Sequence, residues 1–131
     1  MEEKKRPVAS FRDLEVYQRS YRVMRIVMEE IVNKLPPEEK YNLSDQCRRA
    51  CQAIPRLIAE GYAKRHQVRG FHKYIDDAMA ESNEMAVSLE QANDLYSAYI
   101  DIIICKRLIK TYEVIGRQLY CLSRSWRNFH K

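Results

Sequence analysis

The stretch FHKYIDDAMAESNEMAVSLEQANDLYSAY, Phe71 to Tyr99, decides the fold. Phe71, Ile75, Ala78, Ser82, Met85, Leu89, Ala92, Tyr96 and Tyr99 step by four and three in strict alternation. That spacing keeps them on one face of an α-helix, whereas a strand would need period two. It predicts a helix over 69–98. Ala78, Ser82 and Ala92 are small, so a neighbouring backbone can come close to this face.

The same pattern recurs on both sides. Downstream, Ile102, Cys105, Ile109, Tyr112, Gly116 and Leu119 predict a helix over 100–124. The IIIC run, Ile102 to Cys105, would suit a buried strand in isolation, but the heptad continuing to Leu119 outweighs it. Upstream, Leu43, Cys47, Ala50, Ile54, Leu57 and Gly61 predict a helix over 43–64, with Asn42 or Ser44 as N-cap. Leu14, Tyr17, Tyr21, Met24, Met28, Ile31 and Leu35 predict one over 12–35, ended by Pro36-Pro37. Val23, Val27, Cys51, Ile58, Met79, Ala86, Leu108 and Ile115 widen the stripes. A stripe of about three residues in seven suits a bundle; a two-stranded coiled coil shows a narrower seam.

The expected fold is therefore all-α, an antiparallel up-down four-helix bundle forming one domain over 1–131. Pro55 lies inside the second helix. It removes one backbone hydrogen bond and crowds the preceding turn, so a kink is expected there, the pattern being strong on both sides. Three Gly and four Pro are too few for the many turns of an all-β domain, which agrees. The N-terminal MEEKKRP is not followed by the apolar run of a signal peptide, and no run is long enough to span a membrane. Four Cys in such a chain are expected to be reduced thiols in the cytoplasm.

Charge is segregated along the chain. Residues 42–75 hold 7 basic and 2 acidic side chains, 76–104 hold 7 acidic and no Lys or Arg, and 105–131 hold 7 basic and 1 acidic. Such asymmetry bears on partners rather than on fold. In an up-down bundle the N-terminus, the second turn and the C-terminus share one pole. Lys4, Lys5, Arg6, Lys64, Arg65, Arg69, Arg124, Arg127 and Lys131 would gather there. With Arg48, Arg49, Arg56, Lys73 and Arg117 they form a candidate nucleic-acid surface, held to phosphates by charge and counterion release. Tyr62, Phe71, Trp126 and Phe129 are candidates to stack on bases. The plainer reading is a solvated surface with Arg56, Glu60 and Lys64 as a ladder of neighbouring charges. The acidic residues Asp76, Asp77, Glu81 and Glu84 are expected at an oligomer interface, facing Arg48, Arg49 or Arg107 across a helix or subunit boundary.

Four segments carry a family resemblance: FRDLEVYQ (Phe11–Gln18), PPEEKYNLSDQCRRA (Pro36–Ala50), AIPRLIAEGYAKR (Ala53–Arg65) and FHKYIDDAMAESNE (Phe71–Glu84). Their order and their F-x-D-L, Y-x-L-x-x-Q-x-R-R-A and I-A-E-G elements resemble the small four-helix-bundle family first noticed as reading frames in intervening sequences of large-subunit ribosomal RNA genes. The resemblance covers roughly residues 11–122. The same fold group includes accessory variability determinants of diversity-generating retroelements, basic proteins that form pentameric rings. The resemblance thus implies a pentameric homo-oligomer whose partners are RNA or an RNA–DNA hybrid and a reverse transcriptase. It also makes a proline ahead of I-A-E-G a family feature.

Catalysis is not expected. Cys47 and Cys51 are one turn apart but on the apolar stripe, and no His pair stands at ligand spacing. His66, His72 and His130 lie near a turn or terminus, away from the inward thiols. Asp76-Asp77 and Glu81-Glu84 lack the Glu-x-x-His element of di-metal bundles. There is no Gly-rich phosphate loop, and no cofactor is expected. The reading is a non-catalytic oligomeric RNA-binding accessory protein; the other is a protein-interaction scaffold with no nucleic-acid role.

Overall fold

The computed structural model describes residues 7–128. Four long helices dominate: α1 (Glu15–Val27), α2 (Leu43–Ala63), α3 (Val68–Leu95) and α4 (Ile102–Arg124). Every regular element among the described residues is helical. A π-helical turn, Met28–Val32, continues α1, and short 3-10 turns occupy Phe11–Asp13, Pro37–Glu39 and Trp126–Asn128.

Hydrogen bonds between distant segments fix which ends meet. The Tyr96 hydroxyl reaches Glu39, joining the α1–α2 connection to the end of α3. At the other end the Trp126 indole N–H donates to the Arg65 carbonyl at 2.9 Å, and His72 Nδ1 lies 2.8 Å from Ser123 Oγ. Successive helices therefore run in opposite directions. α3 packs along both α2 and α4, and α1 packs against α2 and, less closely, α4.

α3 carries the pattern that named it. Phe71, Ile75, Ala78, Ser82, Met85, Leu89 and Ala92 are all buried, and the Ser82 hydroxyl donates to the Ala78 carbonyl at 2.9 Å. The helix stops at Leu95, three residues earlier than the spacing predicts, leaving Tyr99 exposed. Asp101 then caps α4, its carboxylate accepting from the Ile103 and Ile104 amides. That is N-capping by an acidic side chain, which holds the positive end of the helix.

α1 meets expectation in part: Leu14, Ile31 and Leu35 of the expected stripe and the flanking Val23 and Val27 are buried. Its buried face is Val16, Ser20, Val23 and Val27, continued by Ile31, whereas Tyr17, Met24 and Met28 are half-buried and Tyr21 is exposed. The helix begins at Glu15, not 12, because Ser10 and Asp13 form a reciprocal cap on a separate 3-10 turn. At its far end the Asn33 amide reaches back five residues to Met28. Such a turn admits an extra residue and resets the helical register.

α2 runs as helix through Pro55, which is buried. Neither Asn42 nor Ser44 donates the cap. Asn42 sits at the capping position without a side-chain bond, and Glu39 accepts the Leu43 amide at 3.0 Å. Gly61 explains the close α2–α3 packing: a Cβ there would lie 3.0 Å from Ile75 Cδ1 and 3.3 Å from Tyr74 Cβ.

Candidate nucleic-acid interface

The basic pole is assembled by the clasp between the α2–α3 turn and the chain after α4. Tyr62 and Arg65 form its centre. The Arg65 guanidinium lies 4.4 Å from the centroid of the Tyr62 ring and donates to the Tyr62 carbonyl at 3.1 Å, while its own carbonyl receives Trp126. Trp126 also packs beside His72, ring centroids 6.4 Å apart. This brings Lys64, Arg65 and Arg69 to the end of the molecule that holds Arg124 and Arg127. All but Arg65 are exposed. Arg124 donates to the Tyr120 hydroxyl at 3.0 Å, which holds its guanidinium outward. The start of α3 adds the positive end of its helix dipole, since Gln67 offers no side-chain cap. Lys4, Lys5, Arg6, Phe129, His130 and Lys131 lie outside the described residues.

Two of the expected stacking rings are not available. Phe71 is 1% exposed and Tyr62 is buried beneath Arg65. Both sit on the inner faces of their helices, so the core claims them. Trp126 is half-buried, with its N–H already used.

The remaining basic candidates are spread out. Arg48 and Arg49 both pair with Asp45 on their own helix, Arg49 at 3.2 Å. Lys73 pairs with Asp77 at 3.4 Å. Arg117 borders grooves on both sides of α4, one beside Leu14 to Val16 and one beside Met79 and Asn83. The Arg56, Glu60, Lys64 ladder is not among the ion pairs of the described residues.

The acidic set divides. Asp77 and Glu81 border a groove with Arg49 and Arg56 between α2 and α3 of the same chain. Burial, the Glu84 charge, a hydrogen bond with Glu84 and the Asp77 charge raise the Glu81 carboxyl above its ordinary range, and Arg49 opposes them. Asp76 and Glu84 are exposed. Arg107 borders a different groove, between α1 and α4, with Arg19 and Arg22.

The thiols are core groups. Burial pushes Cys47 and Cys51 up to about 12 and Cys105 to about 11, so none is a thiolate at neutral pH. No cluster of three or more His, Cys, Asp or Glu among the described residues is placed to hold a metal ion.

One feature lies outside the sequence reading. Phe11, Tyr17, Tyr21, Met24, Gln52, Pro55, Arg56 and Ala59 line a groove of about 490 Å³ between α1 and α2. Its signal was present: Tyr17, Tyr21, Met24 and Met28 form a second stripe beside Val16, Ser20, Val23 and Val27. The two sets share one period, so spacing alone does not say that Tyr21 turns outward while Val16 and Ser20 turn in.

No helix among the described residues is long and apolar enough to cross a membrane. Compared with curated proteins, the chain has no match. A family model described as 23S rRNA-intervening sequence protein matches residues 12–121.

Proposed function

The chain belongs to the 23S rRNA-intervening sequence protein family, and from that premise we propose that it is a non-catalytic RNA-binding protein acting as a homo-oligomer in the cytoplasm. The observation that carries this reading is the Trp126–Arg65 clasp, which draws two basic segments 61 residues apart in sequence to one pole. Clustered guanidinium and ammonium groups bind phosphates by releasing counterions, without a catalytic group. Proteins of a retroelement type would use such a pole on an RNA or RNA–DNA hybrid held by a reverse transcriptase.

Self-association has its own support. Leu95, Tyr99 and Ile103 are 68%, 52% and 62% exposed around the α3–α4 corner, beside the acidic face of α3. An exposed apolar patch of this kind usually meets protein. The ring expected from the resemblance has five copies, and native mass in low and high salt tests it. The same corner favours the second reading, a protein-interaction scaffold with no nucleic-acid role.

Titrating a labelled structured RNA at several salt concentrations separates the two. The RNA-binding reading expects affinity to fall steeply with salt, and to drop when Arg65, Arg124 and Arg127 become Glu. Binding absent even at low salt would leave the scaffold.

A further inference from the structure

The groove between α1 and α2 has a composition that the basic pole lacks. Its wall is a ladder of rings. Phe11 and Tyr17 meet edge to face with centroids 4.9 Å apart, and Tyr21 follows at 6.0 Å from Tyr17. The first two are half-buried and held in place. Tyr21 ends the ladder at 47% exposed, so its side chain is reachable from solvent. The rim is cationic. Arg56 lines the groove, and the Arg12 guanidinium lies 4.4 Å from the Phe11 centroid, its backbone carbonyl pinned by Gln18 at 2.8 Å. Arg25 is exposed one turn beyond Tyr21. No carboxylate lines the groove.

From these residues we infer that the groove takes unpaired bases of a single-stranded nucleic acid, the Tyr21 ring stacking on a base while the arginine rim holds its phosphates. Ring faces joined to a cationic track are the recurrent form of single-strand binding, because every base has a face to stack. A duplex has its bases stacked on one another and offers only edges. Proline-rich peptides also use aromatic grooves. A lining with the Arg56 guanidinium and no carboxylate selects instead the ligand that repeats a negative charge at every step. The groove lies beside the start of α1 and the second half of α2, and those ends meet at the basic pole. The inference rests on the nucleic-acid reading above and adds that bound strands are unpaired there.

The test compares fluorescein-labelled oligouridylate with an oligoadenylate–oligouridylate duplex of equal length, by anisotropy at fixed low salt. Tyr21→Ala should weaken single-strand binding by roughly tenfold and leave the duplex within about twofold. Tyr21→Phe keeps the ring face and should bind like the wild type. Charge reversal of Arg65 and Arg124 at the pole should weaken both probes. The exposure of Tyr21 makes unfolding an unsuitable explanation, and far-UV circular dichroism checks this. Equal single-strand binding by wild type and Tyr21→Ala overturns the groove while leaving the pole standing. A loss in Tyr21→Phe equal to that in Tyr21→Ala also overturns it. A proline-rich peptide that binds the wild type and not Tyr21→Ala, with oligouridylate unaffected, makes the groove a protein site and overturns it. Failure of the wild type to bind either probe removes the nucleic-acid reading itself, and this inference with it.

Discussion

The Tyr96 hydroxyl donates a 2.6 Å hydrogen bond to Oε1 of Glu39, whose other oxygen accepts the Leu43 amide at 3.0 Å. One carboxylate thereby joins the α1–α2 connection, the start of α2 and the end of α3. The Tyr96 hydroxyl, then the Leu43 amide, hold the Glu39 carboxyl below its ordinary 4.5, against a smaller effect of burial. A folded-state value below the unfolded one adds stability above the unfolded value and loses it as pH falls through the folded one. Tyr96→Phe should lower the melting temperature at pH 7. The gap from wild type should close as the pH drops below 4.5. A gap that stays constant through that range would mean that the loss does not come through the ionised Glu39 carboxylate.

Thiol reactivity should separate the four cysteines. Cys47, Cys51 and Cys105 are fully buried, with burial raising each one, while Cys121 is exposed. Ellman's reagent at pH 8 should react quickly with Cys121 and slowly with the other three, all four reacting in denaturant. Cys121→Ser should remove the fast phase. A second fast thiol would show that the core opens more readily than its packing implies.

Two helical glycines should respond oppositely to alanine. Gly61 faces Ile75 and Tyr74 at 3.0 and 3.3 Å, so Gly61→Ala pushes α3 away and should cost about 1 kcal/mol despite better helix propensity. A Cβ on Gly116 meets nothing within 4 Å, so Gly116→Ala should stabilise by about 0.5–1 kcal/mol. Urea unfolding midpoints of both variants check the pair.

Tyr112 fills the centre of the bundle, and its hydroxyl is buried without a hydrogen-bond partner among the described residues. Burial, with smaller effects of Cys51 and Cys47, raises its phenol well above the ordinary 10. Tyr112→Phe removes a desolvated hydroxyl and keeps the ring, so stability should hold or rise by up to about 1 kcal/mol. A clear loss in calorimetry would mean that an internal water satisfies that hydroxyl.

The helices were legible where one stripe stood alone. On α3, the seven residues from Phe71 to Ala92 are buried in the predicted register because no rival apolar set shares that helix. On α1, Tyr17, Tyr21, Met24 and Met28 compete with Val16, Ser20, Val23 and Val27, and periodicity cannot rank two stripes of equal period. The π-helical turn at Met28–Val32 and the capping of α2 by Glu39 were not legible, since both depend on tertiary neighbours. At the pole, connectivity alone brought Lys64, Arg65 and Arg69 toward Arg124 and Arg127. The fate of two aromatics was hidden: Tyr62 turns inward and Tyr21 turns out, while Phe71 follows the stripe it heads. The in-chain groove that Asp77 and Glu81 share with Arg49 and Arg56 required helix rotations that spacing does not supply.

The clasp at Trp126 also governs how the molecule can be handled. Whatever is attached ahead of α1 or after α4 leaves from the same end, the one that carries Arg65 and Arg124. A tag or surface tether joined directly to the start of α1 or the end of α4 therefore leaves from the cationic end, opposite the α3–α4 corner that holds Asp101. Probes of the cationic end need the tether moved to that corner, where Leu95 and Ile103 already face outward.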